Sequence, residues 1–171
     1  MRIIKKLPSQ KDLKSLLNYD SNTGIFIWII VPSNCVYVGD IAGNHSKQSG
    51  YMQIQFDKKI YPAHRLAWKY HYGVDPVKFI DHINGDRNDN RISNLREATN
   101  IENLRNSKKY STNTSGFKGV SYHKGYEKWQ ARATMNGKRI HLGWFDTPEE
   151  ASVPYINFTK LNFNKFYKEI V

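Results

Sequence analysis

The strongest constraint on folding lies near the end of the chain, where Lys128 to Met135 (KWQARATM) and Lys138 to Trp144 (KRIHLGW) flank Asn136-Gly137. Asn-Gly tolerates the two left-handed positions of a tight hairpin turn, so these runs are predicted to be antiparallel strands. Alternation puts Trp129, Ala131 and Ala133 on one face and Gln130, Arg132 and Thr134 on the other. In the second run Ile140 and Leu142 share the packed face, and Arg139 and His141 point outward. Lys118 to His123 adds a third strand, with Val120 and Tyr122 inward and Ser121 and His123 outward. A helix then starts near Pro148, with Thr147 as N-cap and Glu149-Glu150 facing the positive end of its dipole. The small alanines leave room for a helix to pack closely on that face.

The outward face of that sheet is polar and basic, and so is the whole chain. Its 171 residues include 26 Lys and Arg against 15 Asp and Glu, a net charge of +11 that favours a polyanionic partner. With 39% apolar and 13% aromatic residues, the chain is no disordered basic tail. A single cysteine, Cys35, excludes an internal disulfide and the paired thiolates of a structural zinc site, leaving oxygen or imidazole ligands for any metal. The longest apolar run, Ile25 to Val31, is far short of the about 20 residues that span a bilayer, and the start MRIIKKLPSQKDLK lacks a signal-peptide core. A cytoplasmic protein that is not secreted and has no membrane partner is expected.

Upstream, Leu13, Leu16 and Leu17 mark one face of a short helix within Leu7 to Leu17, ended by the turn residues Asp20 to Gly24. Ile25 to Ile30 reads as a strand, and Tyr51 to Phe56 with Lys59 to Ala63 as a hairpin about Asp57-Lys58. Trp28, Tyr51 and Phe56 read as core. His64 to Tyr72 has helical spacing and stops at Gly73. His64 and His71 on that helix read as packing or surface residues, His64 being the better placed for DNA. From Phe79 onward the pattern is strand, polar loop, strand and helix, the last opened by a Thr99/Glu102 capping box that puts Asn103 on the first turn.

Within that pattern Asp81 and His82 are adjacent, so on a straight strand they face opposite ways, and a bend is needed for both to reach one cleft. Taken alone, such a pair followed by Asn and Gly is also common in plain turns. Phosphodiester hydrolysis needs a base for water and a cation for the developing charge, and Asp81 with Asn103 offers hard oxygens suited to Mg²⁺ or Mn²⁺. The string DHINGDRNDNRISNLREATNIEN resembles the HNH homing-type endonuclease motif of phages and mobile introns. The resemblance covers about Tyr61 to Asn106 and implies a ββα-metal nuclease module with one divalent ion per site. It makes His82 the general base, Asn94 the residue that holds its imidazole by a hydrogen bond, and Asp81 and Asn103 the metal ligands. The last motif position is often His, and Asn keeps an oxygen ligand of similar reach. Arg65, Arg87, Arg91, Arg96 and Arg105 crowd the region as candidate phosphate contacts or as solvated surface charges.

The stretch SGFKGVSYHKGYEKWQARATMNGKRIHLGWFDTPEEA resembles the APETALA2-type DNA-binding domain, over about Ser115 to Phe166. That resemblance implies a three-stranded antiparallel sheet packed on one helix, the sheet lying in the major groove with Lys118, Ser121, His123, Arg132, Thr134, Arg139 and His141 at contact positions. Several of these are Arg or Trp in the plant proteins, so no target sequence carries over. The same alternation suits an ordinary sheet with one solvated face.

The expected fold class is α+β: residues 1–60 an N-terminal extension, 61–106 the nuclease module, 107–114 a linker and 115–171 the sheet-and-helix domain. The resemblances imply a DNA endonuclease acting on double-stranded DNA, as a monomer that nicks or as a homodimer. A DNA-binding regulator with an inactive HNH module stays open, as does a restriction-type or RNA-cutting nuclease.

Overall fold

Ser9 opens the first helix of the computed structural model, which describes residues 6–30, 35–106 and 112–163. The Ser9 hydroxyl accepts from the Asp12 amide, and helix α1 runs Gln10–Leu16. Strands β1 (Leu17–Asp20) and β2 (Ile25–Trp28) form an antiparallel hairpin about the predicted turn. Its Asp20 carboxylate accepts from the Asn22 amide and the Thr23 hydroxyl. A second, three-stranded sheet orders β3 (Asn44–His45), β4 (Met52–Phe56) and β5 (Lys59–Pro62). Asp57 and Lys58 both take positive φ, the signature of a two-residue hairpin turn.

Helix α2 (Ala63–Tyr72) follows directly and ends at Gly73 in the left-handed conformation. Strand β6 (Phe79–His82) then pairs antiparallel with β7 (Leu95–Ala98), after a single 3-10 turn at Ile92–Asn94. Helix α3 (Asn100–Asn106) is capped as its sequence predicts: the Thr99 amide donates to the Glu102 carboxylate and the Glu102 amide to the Thr99 hydroxyl.

The chain divides into two compact units, Met1–Leu104 and Arg105–Val171. One core unites the first: Leu13, Leu17, Phe26, Trp28, Ile54, Phe56, Leu66, Ile80 and Leu95 are all buried in it. The N-terminal sixty residues therefore share a core with the β6–β7 segment. Most of the expected linker, 107–111, lies outside the described residues.

In the second unit β8 (Val120–His123), β9 (Lys128–Met135) and β10 (Lys138–Phe145) form a sheet of order β10-β9-β8. Helix α4 (Pro148–Phe163) packs across it. Ala131, Ala133 and Ala151 are buried, which allows close approach of helix and sheet. At Gly119, with φ +74°, no side chain fits: a Cβ would fall 2.1 Å from the Tyr155 ring. Two expectations differ here. Tyr122 stays 47% exposed at the strand's end, resting its ring against Trp129. A bulge between His141 and Gly143 shifts the alternation, so Trp144 turns to the Gln130 side and Phe145 joins the core.

Candidate active site

The β6–β7 register sets Asp81 opposite Arg96. Both are buried, and the guanidinium donates to Asp81 Oδ2 from Nε at 2.9 Å and Nη2 at 2.8 Å. Arg96, expected as a phosphate contact, is thus an internal cation that neutralises a buried carboxylate. Its burial, with 10% of the side chain exposed, removes it from the DNA-facing set.

His82, next along β6, is 4% exposed. Its Nε2 lies 3.2 Å from Asn90 Oδ1. Asn90 is itself fixed: its amide Nδ2 donates to Asn88 O, and its carbonyl accepts from the Tyr19 hydroxyl at 2.7 Å. Burial pushes the His82 imidazole below its usual pKa, opposed by Asn90 and by the carboxylates of Asp81, Asp86 and Asp89. Burial, with Asp20 and Asp89 nearby, raises the Tyr19 phenol, so Tyr19 stays a donor.

Asn94 has a different task from the one expected of it. Its Oδ1 accepts from the Asn84 amide, and its Nδ2 donates to Asn84 Oδ1 and to Asp89 O. It therefore cross-links the two ends of the loop after β6, and the side chain set against the His82 ring nitrogen is Asn90. The rest of the loop is tied the same way, with Asn84 donating to Asp89, and Arg91 donating to both Asp89 oxygens and holding that carboxyl down to about 2. The first hairpin buttresses the loop, since Ile92 donates its amide to Ser21 O and a Cβ on Gly24 would meet the Arg91 nitrogen at 2.4 Å.

Of the two expected metal ligands, Asp81 carries the Arg96 pair on Oδ2. Asn103 sits half-buried in the first turn of α3, and its side chain makes no hydrogen bond to the described residues. Among the described residues no group of three or more His, Cys, Asp or Glu side chains is placed to hold a metal ion. One carboxylate and one amide nevertheless fit Mg²⁺ or Mn²⁺, because such ions keep several waters and take few protein oxygens plus substrate phosphate.

The ring of Tyr51, expected as core, lies 5.8 Å from that of His82 and 4.9 Å from that of His64, and the Arg87 guanidinium stacks over it at 4.7 Å. Arg87 is exposed and also donates to Ser49 O. Arg91 is exposed but committed to Asp89, while Arg65 is half-buried, with its pKa lowered by burial.

In the second unit the Arg105 guanidinium lies 3.9 Å over the Phe163 ring, and Lys118 donates to Arg105 O. His123, Arg132, Thr134, Arg139 and His141 are exposed, and Ser121 is half-buried. Register pairs Arg132 with His141 and Thr134 with Arg139, so they share one face. Arg132 donates to Ser121, and Gln130 bonds His141. Sequence alternation misses the aromatic corner beside them, where Trp144 meets His123, Tyr126 and His141 at ring distances of 4.8–5.1 Å. Only the Gly143 bulge signals it.

Residues 61–105 match the HNH endonuclease family model, and these are the residues that carry the Asp81, His82, Asn90 and Arg96 arrangement. The chain belongs to the HNH endonuclease family. A relative is Protein 3.8 of Escherichia phage T7, 38% identical over 86 residues, a match covering 48% of this chain and 71% of that protein. No solved structure matches the chain. No helix among the described residues is long and apolar enough to cross a membrane.

Proposed function

We propose that the chain is a metal-dependent DNA endonuclease that hydrolyses one phosphodiester per engagement, with His82 as general base. The observation that carries this reading is the setting of His82: buried, neutral and oriented by a fixed amide inside the matched HNH segment. Because Asn90 Nδ2 is engaged with Asn88 O, its oxygen faces Nε2, and that nitrogen takes the proton. The Nδ1 lone pair is then the one that accepts a proton from water. The water oxygen bonds to phosphorus, the bond to the 3′ oxygen breaks, and the products are a 5′ phosphate and a 3′ hydroxyl. Asp81 and Asn103 would hold one Mg²⁺ or Mn²⁺. Such an ion supplies positive charge where the phosphate and leaving oxygen become more negative.

The basic face of the second unit is read as the DNA-binding element, in the manner of an APETALA2-like sheet, through Arg132, Thr134, Arg139, His141, His123 and Ser121, with Lys118 and Arg105 at its margin. Arg87, exposed and stacked on Tyr51, is the arginine of the first unit best disposed to meet a phosphate; Arg65 and Arg91 are secondary. With one site per chain, a monomer nicks and a homodimer breaks both strands.

A second reading is a DNA-binding regulator with an inactive nuclease module, favoured by the Arg96 charge already on Asp81. The two part on a supercoiled plasmid carrying the DNA that flanks the coding sequence. The endonuclease reading expects open circles with Mg²⁺ or Mn²⁺, none with EDTA, and loss of cutting in Asp81→Ala with DNA binding retained. Binding without cutting in either metal contradicts it.

A further inference from the structure

His64 sits in the first turn of α2, and its Nδ1 is sealed from solvent with no hydrogen-bond partner. Among the described residues no other buried side-chain nitrogen or oxygen is left so. An unsatisfied buried polar atom is destabilising, so an apolar side chain would serve packing better. The ring stands edge-on to that of His82, 5.2 Å away at 76°, and both lie against Tyr51.

A neutral imidazole carries one N–H and one lone pair. A buried N–H without an acceptor is the rarer defect, so the sealed Nδ1 keeps the lone pair and Nε2 keeps the proton. The residue as a whole keeps 8% exposure, none of it of consequence at Nδ1. Burial, reinforced by His82 and Arg65, pushes the imidazole pKa down to about 3, so the ring is uncharged at neutral pH. A neutral donor beside His82 adds no charge to oppose the one His82 acquires on taking a proton from water. An arginine or lysine there would oppose it.

We propose that His64 is a second substrate-contacting imidazole of this site, its Nε2–H donating to a non-bridging oxygen of the phosphate being cut. The bond strengthens as that oxygen gains charge in the transition state. The assignment rests on the nuclease reading above.

The test is single-turnover cutting of the same plasmid with Mg²⁺ by wild type, His82→Ala, His64→Phe and His64→Gln, with thermal melting and DNA affinity measured alongside. His64→Phe keeps the ring and loses the donor, and is expected to slow cutting about a hundredfold with affinity unchanged. His64→Gln restores an N–H at similar reach and is expected to recover most of the rate. If His64→Phe fails to fold, His64→Gln decides alone: a folded glutamine variant that does not cut overturns the proposal. Wild-type rates in His64→Phe, with His82→Ala inactive, overturn it and leave the nuclease reading standing. Loss in both folded His64 variants means that ring shape matters and the donor does not, which also overturns it. A wild type that cuts nothing removes the nuclease reading and this proposal together.

Discussion

The two units handle polar groups in opposite ways. The first buries Asp81, His82, Asn90, Asn94 and Arg96 and gives each a partner, while the second lines up Arg132, Thr134, Arg139 and His141 on an open face over an alanine floor. Buried polar groups that are satisfied are held in one geometry, which suits bond-making chemistry. Exposed ones keep rotamer freedom and water, which suits a surface adjusting to a polyanion. Substitutions in the first unit should therefore alter stability and rate together, and those on the second unit's face should alter binding alone.

The largest stability effect is expected for Arg96→Ala, which strips Asp81 of its cation and should destabilise the first unit by about 3–5 kcal/mol, read as an early melting transition. Asn90→Ala should follow, with about 1–3 kcal/mol lost from stripping the His82 ring nitrogen of its partner. Its cutting rate should fall more than its stability implies, because the tautomer is no longer fixed. Asn94→Ala should show the reverse balance, chiefly a stability loss, since its bonds all go to the loop; equal rate losses in the two variants would blur the distinction drawn between them.

Acidification sharpens the comparison further. The unfolded chain protonates His64 near its ordinary 6.5, and the folded chain only near about 3. Between those values the unfolded state binds more protons, so the stability fully present above 6.5 is lost as pH falls through the window. His64→Phe should flatten that slope, measured by denaturant unfolding at a series of pH values. An identical slope in wild type and variant would contradict the burial of a neutral His64.

The smallest stability effect belongs to the open face. Arg139→Ala should leave melting within about 0.5 kcal/mol of wild type and reduce the dependence of log affinity on log salt by about one. A marked loss of stability there would mean the face is built into the fold rather than free for DNA.

What could be read from the chain before its structure follows the same divide. Local signals were legible because the physics is local: Asn136-Gly137 and Asp57-Lys58 take their turns, and Thr99 with Glu102 caps α3. The roles set by register were not. Asn90 and Asn94 are equally good amides in sequence, and only the Tyr19 bond and the packing of the first hairpin put Asn90 against His82. Arg96 looked like its neighbours until the β6–β7 pairing set it opposite Asp81. On the sheet, one bulge reversed the alternation that placed Arg132 and Arg139 correctly outward, and so hid Trp144.

In the proposed mechanism His82 removes a proton from water at this site. That step is tested most directly by comparing wild type with His82→Ala for conversion of the supercoiled plasmid under single turnover in Mg²⁺. The variant's rate should be lower by about 10²–10⁴-fold, with unchanged DNA affinity. Equal rates in the two proteins would contradict it.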